Sequence, residues 1–225
     1  MQVSLTPGEW WILNSAALIK FPLTFIVDPE LWVHYNRRMH GLEPFIILDS
    51  LERLFADGLL EAEQWTSQDV EIHLGSLSRD EIRQALDPET KGELWRAQYC
   101  LTAKGGAAWE AFARPYWEQF LLEEGRVEED SMIWNVTAAD RKWLEYYRSL
   151  LSTDNKNEVP ATSSIVEIGP WSPTYWKSLP RGFRIHYRET DETEPYAYSV
   201  EEANKKQLLF SGLCSMRDSW CPGAR

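Results

Sequence analysis

Leu54-Phe55-Ala56-Asp57-Gly58-Leu59-Leu60 and, further along, Tyr99-Cys100-Leu101-Thr102-Ala103-Lys104-Gly105 decide how this chain folds. The first stretch ends a helix. From about Pro44 to Asp57, Leu48, Leu51 and Phe55 fall on one stripe, widened by Leu54, while Asp49, Glu52 and Arg53 lie opposite. Gly58 then supplies the left-handed turn that closes a helix, and Leu59 to Trp65 reads as a strand. The second stretch ends another strand, Trp95 to Leu101, with Trp95, Ala97, Tyr99 and Leu101 alternating onto one face. Thr102 caps the helix that follows, and Gly105 and Gly106 let its first turn approach a sheet closely. That helix carries Trp109, Phe112, Tyr116, Trp117 and Phe120, with a kink expected at Pro115.

Upstream, Thr6-Pro7-Gly8-Glu9 is a capping box with Pro at the first helical position, and Trp10, Leu13, Ala17 and Leu18 follow at helical spacing to a stop at Pro22. Asp28-Pro29-Glu30 opens a second helix that buries Leu31, Tyr35 and Met39 and breaks at Gly41. Thr66 to Glu93 is a long polar connection in which Ser78-Arg79-Asp80-Glu81 is another capping box, opening a helix to about Leu86. Downstream, Gly125 to Asp130 is a polar break and marks the expected domain boundary, giving a domain over 1–125 and a smaller α+β extension over 126–225. In that extension Thr137-Ala138-Ala139-Asp140 opens a helix through Trp143, Tyr146, Tyr147 and Leu150. Ile165–Ile168 and Phe183–Tyr187 read as strands, and Ser199-Val200-Glu201-Glu202 caps a last helix to about Phe210.

The order of three helices, strand, loop, strand and helix, with the phrases around Gly58 and Thr102, resembles the winged-helix domains of MarR-like and PadR-like bacterial regulators. The resemblance spans Leu42 to Leu121, about eighty of the 225 residues. It implies a helix-rich α+β fold: a winged-helix-like domain with an extended wing insertion, followed by the C-terminal extension. It also implies that the helix over 44–57 enters the DNA major groove and that Arg53, Arg79, Arg83 and Lys91 contact nucleic acid.

Charge points the other way. The net charge is −12, and residues 1–125 hold ten Lys/Arg against twenty Asp/Glu. Over residues 41–65, Glu43, Asp49, Glu52, Asp57, Glu61 and Glu63 stand against Arg53 alone, and Arg53 is spaced to pair with Asp49. Such a surface repels phosphates and suits a basic partner. The twelve Trp exceed what a core of this size absorbs, so exposed indoles at a contact surface are expected, with Trp171 and Trp176 as candidates.

Other chemistries find little footing. Cys100 sits in an apolar run and reads as a buried thiol, and Cys214 and Cys221 have no second pair to make a zinc knuckle. The odd cysteine count, with no basic-then-apolar leader in MQVSLTPGEWW, suggests a reducing, cytoplasmic setting. His34, His40, His73 and His186 show no ligand spacing, and no phosphate-binding or nucleophile motif occurs. Glu61/Glu63, Glu123/Glu124 and Glu128/Glu129 can be read as acid–base pairs or as solvated faces, and their polar settings favour the latter. The segment Gly169 to Arg188 interleaves aromatics with Lys177, Arg181, Arg184 and Arg188. It can be read as a single-strand nucleic-acid surface, a protein contact, or a Pro-stiffened hairpin with an internal core.

The sequence therefore predicts a non-catalytic, protein-binding molecule without metal or cofactor and without a membrane span. In its most concrete form it is an immunity or antitoxin protein that covers a basic effector such as a nuclease, through Asp49, Glu52, Asp57, Trp171 and Trp176. The alternative is a winged-helix DNA-binding transcriptional regulator.

Overall fold

A computed structural model describes residues 4–27, 42–65, 70–87, 96–128, 131–151, 157–158 and 164–190. Among them the protein is α+β, with five α-helices and two antiparallel sheets. The chain forms two compact units: Met1–Arg114 with Thr174–Lys177, and Pro115–Pro173 with Ser178–Arg225. The expected helix over Asp28–Met39, Lys91, His34, His40, Cys214, Cys221 and the helix expected after Ser199 lie outside the described residues.

In the first unit, α1 (Pro7–Ser15) starts at the expected capping box: Thr6 Oγ1 accepts from the Glu9 amide at 3.3 Å, and the Glu9 carboxylate accepts from the Thr6 amide at 2.7 Å. The helix stops at Ser15, and Phe21–Pro22, expected only as a stop signal, forms the short strand β1 before a 3₁₀ turn over Leu23–Ile26. Helix α2 (Pro44–Ala56) ends as predicted, with Asp57 at the cap and Gly58 at φ +64°. Its buried stripe is Ile47, Ser50, Leu51, Leu54 and Phe55, so Ile47 takes the inward place given to Leu48. Strand β2 (Leu60–Trp65) follows at once.

The polar connection is more ordered than expected. Val70-Glu71-Ile72-His73-Leu74 alternates in the strand period, and β3 (Glu71–Gly75) pairs antiparallel with β2 through Glu63↔His73, Gln64↔Ile72 and Trp65↔Glu71. Helix α3 (Arg79–Leu86) begins at the predicted Ser78 box. Strand β4 (Ala97–Leu101) then pairs with β2, Glu61 opposite Cys100 and Ala62 opposite Tyr99, giving the order β1-β4-β2-β3. Leu60, Ala62, Ala97, Tyr99 and Leu101 are buried among the helices.

Thr102 caps helix α4 (Ala103–Ala113), accepting from the Gly105 amide at 3.0 Å. The helix does not continue, kinked, through Pro115. It ends at Arg114, whose φ of 48° is left-handed, because Pro115 can neither donate nor follow a helical residue. Trp109 is completely buried, and its indole N–H donates to Asn14 Oδ1 at 3.1 Å.

In the second unit, the stretch read as a polar break is strand. β5 (Leu121–Glu128) pairs along its length with β6 (Ser131–Ala138), and the division between units falls at Arg114/Pro115 instead. Here a continuous cross-strand ladder overrides local polarity. Thr137, expected as a cap, is the strand partner of Arg184, and α5 (Arg141–Leu151) begins beyond Asp140, which accepts from the Lys142 amide at 3.0 Å. The short strands β7 (Asn157–Glu158) and β8 (Val166–Ile168) both pair with β9 (Gly182–Thr190). Val136, Ala138, Leu144, Tyr147, Ile165, Ile185 and Tyr187 form the core beneath α5. No helix among the described residues is long and apolar enough to cross a membrane.

Candidate protein-binding surface

The charged face of α2 is exposed, with the Asp49 and Glu52 side chains 58% and 45% exposed, but arginines pair along it. Arg53 does not pair with Asp49. Its guanidinium bonds the Glu9 carboxylate, which is only 2% exposed and also accepts from Thr6 Oγ1 at 2.8 Å. A buried carboxylate gains more from a counter-charge than a solvated one does, so Glu9 takes the arginine. Asp49 and Glu52 are instead both bound by Arg79 of α3, with Arg79 Nη2 2.7 Å from Asp49 Oδ1. These carboxylates hold the Arg79 guanidinium above its ordinary pKa. Arg83 pairs with Asp80 at 2.6 Å.

Arg53, Arg79 and Arg83 are held in ion pairs within the unit. Asp49 and Glu52 share the one Arg79, which leaves the trio with a net charge of −1. Asp57 is exposed at the helix end, where its main-chain carbonyl accepts from Lys104 Nζ at 2.6 Å.

Of the two tryptophans proposed as anchors, Trp171 is buried and Trp176 is half-buried. Trp171 is buried at 6% exposure, bridges to Leu179 and donates its indole N–H to the Arg181 carbonyl at 2.8 Å. Trp176 donates to the Ala17 carbonyl at 2.8 Å and packs edge-on against Trp109, its ring lying over Gly106 where a Cβ would stand 2.8 Å from Cδ2. Beside it the Tyr175 hydroxyl donates to the Ala16 carbonyl at 2.6 Å and accepts from the Leu101 amide at 2.7 Å, and burial raises its pKa. Within 169–188, Ile185 and Tyr187 point into the core, as the hairpin reading expects.

The unbalanced acidity lies on the open face of the first sheet. Strand alternation puts Glu61 and Glu63 of β2 on the face opposite Leu60 and Ala62. Register places His73 and Glu71 of β3 beside them, with Cys100 of β4 opposite Glu61. Lys20 reaches in, its ammonium 2.5 Å from Glu71 Oε1 and in contact with Glu63. Glu63 Oε2 is buried and has Lys20 as its counter-charge. Glu63 and Glu71 thus share one lysine, and Glu61 lies beside them facing His73. Burial lowers the Lys20 pKa, but its hydrogen bonds to Glu63 and Glu71 outweigh that and raise it; the Lys20 hydrogen bond lowers that of Glu71. His73 Nε2 stands 4.0 Å from Glu61 Oε2 and is largely exposed.

Glu61, Glu63 and Cys100 bring their donor atoms within 4.8 Å of one another, the spacing of a metal ligand set. Burial, with Glu63 and Glu61 adding to it, raises the Cys100 thiol above its ordinary range, and the thiol sits 3.4 Å from the Glu61 carbonyl.

This face was half legible. The Glu61/Glu63 alternation marks a solvated strand face; the Glu71/His73 strand that widens it was hidden inside a stretch read as loop. Family models, curated proteins and solved structures give no match to the chain.

Proposed function

We propose that this protein is a non-catalytic, protein-binding module, built on a winged-helix-like first unit, that engages a basic partner in the manner of an immunity or antitoxin protein. The observation that carries the reading is the set of three carboxylates, Glu61, Glu63 and Glu71, on one sheet face, where Lys20 pairs with Glu63 and Glu71 and leaves the set net negative. That face attracts cationic side chains and repels phosphate. The winged-helix part rests on the order of α2, the Gly58 turn, β2, a returning antiparallel β4 and the Thr102-capped α4. The wing is enlarged by β3 and α3, and α3 lays Arg79 across the acidic side of α2. That contact counts against the regulator alternative, since the arginines on and beside α2 are engaged by carboxylates and the helix offers phosphates a net negative face.

Affinity capture with the wild type and with an E61Q/E63Q/E71Q variant tests the reading. The expected result is a basic protein retained by the wild type, lost from the variant and released as salt is raised. Sequence-dependent, nanomolar binding of duplex DNA by the wild type would overturn it.

A further inference from the structure

The acidic face borders a strand that nothing described pairs on its outer side. In the order β1-β4-β2-β3, β3 is the edge of the sheet, and its residues are exposed on both faces. On the helix-side face Ile72 is 45% exposed, a large apolar side chain left in water. On the other face are Glu71 and His73, continuous with Glu61 and Glu63. Edge strands of this kind are ordinarily blunted by an outward lysine, a proline, a bulge or a covering element; the pairing of β3 with β2 shifts register at Ala62/Glu63, which leaves Glu71–His73 as the regular part of the edge. Glu71-Ile72-His73-Leu74-Gly75 has no lysine or proline, and Lys20, the nearest cation, is turned to Glu63 and Glu71.

We propose that β3 is a docking edge that accepts one extended segment of the basic partner as an added strand. The proposal rests on the protein-binding reading above and specifies its geometry. An added strand makes main-chain hydrogen bonds along the edge and alternates its side chains between the two faces. The alternation on β3 then dictates the occupant's chemistry. Its residues on the acidic face are Lys or Arg, set against Glu71 and drawn by the net negative charge of the Glu61, Glu63 and Glu71 set. Those between them are apolar and cover Ile72. The occupant is thus an alternating basic–apolar segment of another protein. A nucleic acid is disfavoured by the carboxylates, and a second copy of β3 would bring a further glutamate and no cation to the acidic face.

The test uses the full chain and a synthetic seven-residue peptide of alternating Lys and Val. A second peptide of the same sequence is N-methylated at alternate residues on its hydrogen-bonding side, which removes the main-chain donors but keeps every charge. Binding is followed by amide chemical-shift perturbation and hydrogen exchange. The expected result is protection confined to the amides of residues 71–75, with the methylated peptide at least about tenfold weaker, as the loss of two net hydrogen bonds implies. Equal binding of the two peptides would overturn strand addition while leaving a basic-protein surface intact. Binding of neither peptide, together with salt-sensitive capture of a basic protein that survives E61Q/E63Q/E71Q, would remove both the edge and the acidic face from the interface. Concentration-dependent dimerisation of the free protein with protection of the same amides would replace the assigned occupant by a second copy.

Discussion

Replacing Arg53 by Ala tests whether its partner has been assigned correctly. If Arg53 were a phosphate contact on an exposed helix face, its removal would scarcely touch stability. In the structure it is the counter-ion of Glu9, whose carboxylate is 2% exposed, while Arg53 itself is 48% exposed. Deleting one partner of a fully buried pair costs about 3–5 kcal/mol, and deleting an exposed pair about 0–1 kcal/mol. The carboxylate here keeps its bonds from the Thr6 amide and hydroxyl, and water reaches the arginine side. The expected loss is therefore intermediate, about 2 kcal/mol, or about 1 M in the urea midpoint for a typical slope. Glu9→Gln removes the charge that needs Arg53, so Arg53→Ala in that background should cost at least about 1 kcal/mol less. Urea unfolding followed by far-UV circular dichroism and Trp fluorescence would measure all four proteins. An Arg53→Ala effect below about 0.5 kcal/mol, or additive single mutants, would refute the assignment. Arg79→Ala serves as the contrast, since it breaks only exposed pairs and should move the midpoint far less.

Three further outcomes follow from the same packing. Gly105→Ala places a Cβ 2.9 Å from the Leu59 carbonyl carbon and closer still to its oxygen; the overpacking should exceed the roughly 1 kcal/mol that Ala gains in a helix and leave a net loss of about 2 kcal/mol in urea unfolding. Trp109→Phe breaks the bond to Asn14 and opens space in the core, costing about 2 kcal/mol or more. Trp10→Phe removes a buried indole N–H with no hydrogen-bond partner and should cost distinctly less in the same assay. Cys100 should resist iodoacetamide at pH 8 in the native protein and react in urea, as peptide mapping would show. Because its folded pKa is raised, its contribution to stability is complete below the unfolded thiol value of about 8.5 and declines as the pH rises above it. Cys100→Ala should flatten that decline.

What the sequence disclosed was mostly local. Capping boxes at Thr6 and Ser78, the Gly58 turn and the Thr102 cap each depend on a few neighbouring residues, and each stands where it was read. The strands that escaped reading are held by partners distant in sequence. Gly125 is a strand residue because it lies opposite Trp134, and Thr137 because β9 runs beside it. Ion pairing follows the same rule. Spacing along a helix offers Asp49 to Arg53, but the pairing is settled by burial of Glu9 and by an arginine arriving from α3. The two tryptophans have amphipathic rings that suit an interface or a core equally; Trp171 is buried, Trp176 is half-buried, and both donate to main-chain carbonyls.

The central claim is that the acidity that meets a basic partner lies on the β2–β3 face and not on α2. Titration calorimetry of the Lys/Val peptide against two neutralised variants, E61Q/E63Q/E71Q and D49N/E52Q, tests it most directly. The account predicts that the first variant loses binding by about tenfold or more, while the second binds like wild type. Loss of binding in D49N/E52Q with E61Q/E63Q/E71Q unaffected would contradict it.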